Sequence, residues 1–115
     1  MPAKPRIGID FDGTLCQYDG WHSDHSALGE PVIGALESCQ LLAEDYELVV
    51  ITAREELEPV EKWLRQHDFP PMEVTRTKLG CLVLIDDRCV RFDGSWALMM
   101  RWIRSMPPAW WEDPR

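Results

Sequence analysis

Residues 6 to 15 read Arg6-Ile7-Gly8-Ile9-Asp10-Phe11-Asp12-Gly13-Thr14-Leu15, an apolar run that ends abruptly in two carboxylates, a glycine and a hydroxyl. The apolar half is rich in strand formers, so the stretch predicts a buried strand that carries acids at its carboxyl end. Ligands of open α/β sheets bind beyond the carboxyl ends of the strands, which places Asp10 and Asp12 where chemistry is done. Alternation along the strand turns both carboxylates to the same side if the strand persists that far.

Two carboxylates this close in sequence predict either a metal site or an acid–base pair. Like charges repel, and the arrangement becomes stable when a divalent cation lies between them or when one carboxyl holds a proton. Gly13 permits a tight backbone turn close to a bound anion. The alternative is an acidic surface turn, because Asp-Gly is a common turn dipeptide. A surface turn does not require a buried strand before it, so we favour the functional interpretation.

Composition predicts one globular domain over residues 1–115, because a chain of this length has no room for a second core. The net charge of -8 disfavours nucleic acid and anionic lipid as partners. The N-terminal residues have the pattern of neither a signal peptide nor a membrane span. The four cysteines show neither CxxC pairing nor zinc-ligand spacing, so we interpret them as reduced thiols of a cytoplasmic protein and not as a disulfide framework.

The rest of the chain alternates predicted strands with predicted helices. Aliphatic runs typical of parallel strands covered on both faces lie in 46–52 and 81–87, and a short strand at a sheet edge is predicted at 72–75. Residues 90–92 add a further short strand to this prediction. Helices are predicted from Pro31 to about residue 45, from 57 to 67 and from 96 to 105. This alternation implies a parallel sheet with right-handed crossovers.

The segment Asp10-Phe11-Asp12-Gly13-Thr14-Leu15 resembles the first signature of the haloacid dehalogenase superfamily, most of whose members are magnesium-dependent phosphatases that act through an aspartyl-phosphate. Three further signatures follow in that family in a fixed order: a Ser or Thr that ends a second strand, a Lys, and an acidic pair that ends a later strand. Thr52, Lys78 and Asp86-Asp87 match them in order and residue type. The resemblance covers residues 7 to 88.

The resemblance implies a Rossmann-like three-layer α/β sandwich with a mostly parallel central sheet of strand order 3-2-1-4. Larger family members insert a cap domain after the first or the second signature. Here the interval from Leu15 to Thr52 holds a loop and one predicted helix, and the interval from Thr52 to Lys78 holds one predicted helix and a short strand. Neither interval has room for a cap, so we expect the capless type, with an open site.

The resemblance also implies a role for each matched residue. Asp10 attacks phosphorus, and Asp12 protonates the leaving oxygen and later takes a proton from water. Thr52 donates to a phosphoryl oxygen, and Lys78 supplies positive charge there, with Lys62 as the weaker alternative for that lysine. Mg²⁺ is the implied cofactor. Its implied ligands are the Asp10 and Asp86 carboxylates, the Asp12 backbone carbonyl, and Asp87 either as a ligand or as an orienting group.

Substrate contacts are expected from residues next to these positions. The candidates are Gly13, Thr14, Trp21, His22, Arg54 and Arg88. In the loop at 16–30, His22 and His25 fit a substrate contact, a second metal site or plain solvation. Arg54 and Arg88 fit a clamp for a second anionic group, and they also fit ion pairs with Glu55, Glu56 or Asp87.

The leading hypothesis for function is a phosphatase for a phosphorylated substrate, and we expect a small molecule in preference to a macromolecule. The alternatives are a phosphate-binding or regulatory module with little turnover and a polynucleotide end-phosphatase. A receiver-like domain is disfavoured because its phosphorylated aspartate ends a middle strand, whereas here the second strand ends in Thr52. Trp110 and Trp111, in the proline-rich tail, either pack on the domain or form a homodimer contact.

Overall fold

Four strands and three helices alternate along the chain, in a computed structural model that describes residues 3–18 and 28–106. In chain order the elements are β1 (Arg6–Asp10), α1 (Ala35–Leu42), β2 (Glu47–Ile51), α2 (Glu58–Gln66), β3 (Glu73–Thr75), β4 (Val83–Ile85) and α3 (Trp96–Arg104). Among the described residues there is no further strand or helix that could form a cap domain. None of the helices in these two ranges is long and apolar enough to cross a membrane.

The four strands form one sheet in the order β3-β2-β1-β4, and all neighbouring pairs are parallel. The predicted α/β class, the strand order 3-2-1-4 and the edge position of β3 are therefore confirmed. Gly8 in the central strand allows close packing, since a Cβ there would lie 2.9 Å from the Ile51 side chain and 3.2 Å from that of Leu84. Parallel pairing brings the carboxyl ends of all four strands to the same edge of the sheet.

The main hydrophobic core lies on one face of the two central strands. Phe11 packs edge-on against Trp63 of α2, with ring centroids 5.0 Å apart and an interplanar angle of 89°. Burial of this aromatic pair holds the segment after β1 against α2. The other buried members of the core are Ile7, Ile9, Leu15, Cys16, Cys39, Leu48, Val50, Val60, Leu64 and Phe69.

The first helix begins at Ala35, so the prediction that it starts at Pro31 is wrong. Gly34 has a φ of 87°, a left-handed conformation that an α-helix does not contain. The residues before it are instead held to the segment after β1. The Gln17 amide donates to the Glu30 carbonyl at 2.8 Å, and the Val32 amide donates to the Leu15 carbonyl, also at 2.8 Å. This backbone pairing replaces the helical turn that the sequence pattern predicts.

The last strand is shorter and more exposed than predicted. Only Val83–Ile85 of the run 81–87 is strand, and the side of β4 away from β1 has no partner strand among the described residues. Val83 is 50% exposed and Ile85 is 41% exposed, so the prediction of a strand covered on both faces is wrong for β4. Residues 90–92 do not form the predicted short strand. Beyond them Ser95 caps α3 by accepting from the Leu98 amide at 3.2 Å.

Candidate functional site

Three carboxylates meet at the carboxyl ends of β1 and β4. Asp10 is the last residue of β1, and Asp86 and Asp87 directly follow β4. The parallel register pairs Ile9 with Ile85, which brings the residues after them side by side. One oxygen from each of the three carboxylates lies within 4.8 Å of the other two, and all three residues are partly buried. The structure thus brings together the three carboxylates that the resemblance implies for a metal site, Asp10, Asp86 and Asp87.

Electrostatics within this carboxylate cluster (Asp10, Asp86 and Asp87) are unfavourable for three full negative charges. Burial, a hydrogen bond with Asp87 and the charges of Asp86 and Asp87 raise the pKa of Asp10 from 3.8 to about 8. A proton on Asp10 relieves the repulsion in the metal-free protein, and a divalent cation would do so more completely. Clustered carboxylate oxygens are the donor set that Mg²⁺ and Ca²⁺ prefer, so the residues present fit a hard divalent cation.

Backbone geometry positions two members of the cluster. The amide of Arg88 donates to Oδ1 of Asp86 at 2.9 Å, in a tight turn that orients this carboxylate. Gly13 has a φ of 86°, and a Cβ at this position would collide with Oδ2 of Asp87. The absence of a side chain at residue 13 is therefore what admits the Asp87 carboxylate. The sequence predicts that Gly13 approaches a bound anion, and in the structure the anionic group beside it is this carboxylate.

The turn after β1 supports the nucleophile candidate. The Phe11 carbonyl accepts from the amides of Leu15 and Cys16 at 2.9 and 3.0 Å, which closes the turn. The Thr14 hydroxyl donates to Oδ2 of Asp10 at 3.4 Å, a long hydrogen bond. Thr14 therefore contacts the candidate nucleophile directly.

Thr52 lies at the carboxyl end of β2, next to β1 in the sheet, and is 3% exposed. Its Oγ1 accepts from the Arg54 amide at 3.2 Å. A hydroxyl that accepts in this way still has its own proton to donate. The position and the hydrogen-bonding state are both those needed for donation to an oxygen placed over the strand ends.

Asp12 lies apart from the carboxylate cluster, in an ion pair with Arg54. The Arg54 Nε and Nη2 atoms donate to the two carboxylate oxygens of Asp12, each at 2.7 Å. The side chains are 20% and 18% exposed, so water screens this pair only in part. The hydrogen bonds to Asp12 raise the pKa of Arg54 above its usual value. The guanidinium also lies over the Phe11 ring, 5.9 Å from its centroid.

This ion pair is one that the sequence predictions missed, because neither interpretation of Arg54 included Asp12 as a partner. Forty-two residues separate the two, and no local pattern reports the contact. A signal was nevertheless present. Asp12 follows β1 and Arg54 follows β2, and adjacent parallel strands bring residues just beyond their carboxyl ends together.

Lys78 lies in the exposed connection between β3 and β4. It forms no ion pair with any carboxylate of residues 3–18 or 28–106, so the structure does not bring it into the cluster. Lys62, the alternative, is exposed on α2. The Arg88 side chain is exposed beside the cluster. The predictions for Trp21, His22, His25, Trp110 and Trp111 fall outside the described residues.

Tyr18 and Cys89 are two further residues beside the site that carry no predicted role. Burial raises the pKa of the Tyr18 hydroxyl, and the nearby charge of Arg88 lowers it. Burial, and then the charge of Asp86 together with a hydrogen bond to it, raises the pKa of the Cys89 thiol. Both side chains are thus within electrostatic reach of the strand ends, and neither belongs to a pattern that a sequence motif would reveal.

The metal-free protein is expected to lose stability as the pH rises between the unfolded and folded pKa values of Asp10, 3.8 and about 8. In this window the folded state holds a proton that the unfolded chain releases, so the free energy of unfolding falls with rising pH. One pKa unit corresponds to about 1.4 kcal/mol. Screening at a partly buried site reduces the total loss to on the order of 2 kcal/mol.

Urea unfolding in EDTA across this pH range measures the effect. Asp10→Asn should flatten the slope, because the amide does not titrate, and Mg²⁺ should restore stability at the alkaline end. An equal slope in the wild-type protein and in Asp10→Asn would assign the pH dependence to other groups.

Comparisons with known proteins support the fold and no more. No protein-family model matches this sequence, and no curated protein matches it. The solved structure of a conserved protein from Bacteroides thetaiotaomicron is similar, with a TM-score of 0.58 and 24% sequence identity. The alignment covers 91% of this chain and 93% of that chain. Identity this low shows a shared fold alone, so the chain has the architecture of that small α/β domain without an activity assigned by likeness.

Proposed function

We propose that this protein is a magnesium-dependent phosphomonoester hydrolase of the haloacid dehalogenase type, acting through an aspartyl-phosphate on Asp10. One observation carries the proposal: the Asp10, Asp86 and Asp87 carboxylates converge at the strand ends, with the buried Thr52 hydroxyl at the end of the adjoining strand. Phosphoryl transfer depends on positioning and on charge neutralisation more than on covalent chemistry by the protein. A cation-binding carboxylate cluster beside a hydroxyl donor meets both needs.

Asp10 is the residue to which we assign nucleophilic attack. It is the last residue of a central strand, and the Thr14 hydroxyl contacts one of its oxygens. An anchored carboxylate is held ready for in-line attack, because little conformational freedom is lost on reaching the reactive geometry. The new bond joins a carboxylate oxygen of Asp10 to phosphorus, and the bond from phosphorus to the alcohol oxygen breaks.

Asp12 and Thr52 are assigned to the leaving group and to the phosphoryl oxygens. Asp12, two residues after the nucleophile, first takes up a proton from solvent water, gives that proton to the departing alcohol oxygen, and takes one back from the water that hydrolyses the acyl-phosphate. Thr52 donates its hydroxyl proton to a phosphoryl oxygen, and this hydrogen bond strengthens as charge develops there. Its near-complete burial limits competition from water.

The residues that would hold Mg²⁺ are Asp10 and Asp86, with Asp87 as a further ligand or as the group that orients them, and the Asp12 backbone carbonyl by resemblance. When bound, the cation supplies positive charge that offsets the repulsion between the cluster and an anionic phosphoryl group. By resemblance Lys78, in the connection before β4, is the residue that would add to that charge. Arg88 directly follows Asp87 in the chain and is exposed, so it is a second candidate source of positive charge.

The substrate is proposed to be a small phosphomonoester. Among the described residues no cap covers the strand ends, and an open site admits small substrates without selecting them strongly. The acidic protein repels a polyphosphate backbone, which disfavours a polynucleotide end. All four cysteines are free thiols, which fits a location in the reducing cytoplasm.

A phosphomonoester panel with excess Mg²⁺ tests the proposal, and it should include an oligonucleotide that carries a terminal phosphate. We expect release of inorganic phosphate from at least one small ester, loss of that activity in EDTA and its return with Mg²⁺. Turnover that persists without a divalent cation would place the chemistry outside this mechanism. Phosphate binding without turnover of any ester would favour the alternative of a regulatory module, for which the Asp12–Arg54 ion pair is the supporting observation.

A further inference from the structure

Arg54 joins the segments that follow β1 and β2. Its backbone amide donates to the Thr52 hydroxyl oxygen, and its guanidinium makes a bidentate pair with Asp12. Arg54 therefore contacts both Thr52, which the proposed function assigns to the phosphoryl oxygens, and Asp12, which it assigns to the leaving group. The family resemblance gives no role to a residue in this position.

The Arg54–Asp12 pair also presents a chemical conflict. A carboxylate whose two oxygens both accept from a guanidinium is held in one orientation, and those oxygens are engaged. A proton donor or acceptor for the leaving group needs an oxygen within reach of that group. The pair must therefore open, or at least loosen, before Asp12 can serve the reaction.

A phosphoryl group is an acceptor that can compete for the same arginine. The planar guanidinium fork matches the paired oxygens of a phosphate as well as those of a carboxylate, and the phosphate carries more negative charge. Because the Arg54 amide is fixed at Thr52, its side chain starts beside the hydroxyl that is assigned to the phosphoryl oxygens. A short change of side-chain rotamer would move the guanidinium from one acceptor to the other without moving the backbone.

We propose that Arg54 exchanges partners when substrate binds: it releases the Asp12 carboxylate and takes the substrate's phosphoryl group. This inference rests on the proposed function and deepens it. Arg54 is then a residue that binds the phosphoryl group and positions Asp12, and it makes release of Asp12 depend on the presence of a phosphoryl group. In the substrate-free protein, the ion pair with Arg54 keeps Asp12 in place.

A double-mutant cycle read by phosphate affinity tests the exchange without relying on turnover. Inorganic phosphate is titrated by calorimetry, with Mg²⁺ in excess, into the wild-type protein, Asp12→Asn, Arg54→Ala and the double variant. Loss of a charge-assisted acceptor should free Arg54, so Asp12→Asn is expected to bind phosphate about tenfold more tightly. Arg54→Ala is expected to bind it about tenfold more weakly. In the Arg54→Ala background, Asp12→Asn should change the affinity less than about twofold.

The effect of Asp12→Asn on phosphate affinity, compared with and without Arg54, distinguishes the exchange from simple charge repulsion. Removing the Asp12 charge would improve phosphate binding in either background if the carboxylate merely repelled the anion, and an equal gain in both would overturn the proposal. Glu55→Gln removes the charge of a neighbouring exposed residue and Arg65→Ala removes an exposed arginine on α2; neither should shift the affinity beyond about twofold. Arg54→Lys keeps the charge without the fork and should fall between the wild-type protein and Arg54→Ala.

Failure of the exchange and failure of the proposed function give different results. If the phosphate affinities of the four proteins follow the expected pattern but no ester is turned over, the exchange is supported and the proposed hydrolase activity is contradicted. Turnover in a wild-type protein whose cycle shows no dependence on Arg54 would sink the exchange alone. Absence of phosphate binding in all four proteins would overturn both. Circular dichroism and the urea midpoint of each variant show that affinity is compared among folded proteins.

Discussion

Asp10→Asn is expected to lower turnover of any phosphomonoester substrate by three or more orders of magnitude, on the order of the loss seen when an enzyme's nucleophile is removed. The amide has nearly the shape of the carboxylate but cannot attack phosphorus. The fold should persist, because Asp10 lies at the end of β1 and its side chain is outside the hydrophobic core. In EDTA at neutral pH the variant should be more stable than the wild-type protein, since Asp10 must take up a proton on folding at this pH and the amide need not.

Steady-state rates on the best ester of the panel measure the first effect, and urea unfolding measures the second. Asp45→Asn is the matched control, an exposed aspartate just before β2 at the opposite end of the strands from the cluster. It should alter neither turnover nor the response to EDTA. Substantial turnover by Asp10→Asn would exclude the aspartyl-phosphate mechanism, while loss of stability would contradict the repulsion within the cluster.

Gly13→Ala is expected to weaken Mg²⁺ binding by about tenfold or more and to destabilise the protein. A Cβ at this position would collide with the Asp87 carboxylate, so that carboxylate must shift from the place it holds beside Asp10 and Asp86. A metal ligand or its orienting neighbour that shifts in this way commonly costs tenfold or more in affinity. The left-handed φ of 86° adds about 1–2 kcal/mol of strain for alanine.

Gly34→Ala separates the strain from the collision. Gly34 has nearly the same φ, 87°, but nothing lies within 4 Å of a Cβ built there. It should therefore lose a similar part of the free energy of unfolding while keeping wild-type Mg²⁺ affinity. Gly80→Ala, with open space around residue 80 and no left-handed φ, should change neither quantity. Calorimetric titration of Mg²⁺ reads the affinity, and unchanged affinity in Gly13→Ala would remove Asp87 from the metal site.

Local pattern was sufficient for the α/β class and the parallel sheet, whereas the strand order 3-2-1-4 was an implication of the family resemblance. The aliphatic runs at 6–10 and 47–51 are long enough to specify buried strands, and the alternation with helices leaves few topologies other than a parallel sheet with right-handed crossovers. The edges are less well specified. The run before Asp86 has the same composition as β2, but β4 lacks an outer neighbour among the described strands, so burial on both faces does not follow from its residues.

Convergence of Asp10, Asp86 and Asp87 was predictable for a simple reason. Residues at the carboxyl ends of adjacent parallel strands must meet at one edge, whatever their side chains do. The start of α1 was not predictable from its apolar spacing. Gly34 adopts a left-handed conformation because the residues before it pair with the segment after β1, and the hydrogen bonds of that pairing join Gln17 to Glu30 and Val32 to Leu15, distant in the chain.

The sequence thus determines which chemical groups reach the strand ends, because the residues that follow parallel strands all lie at the same edge of the sheet. Three-dimensional packing accounts for which groups touch: Asp12 pairs with Arg54 across two strand ends, and Gly13 lies against Asp87 across the turn. Backbone periodicity is a local property that a single sequence expresses directly. Side-chain contacts between distant segments depend on differences in position of a few tenths of an ångström and on which partners compete for each group. Both are properties of the assembled fold.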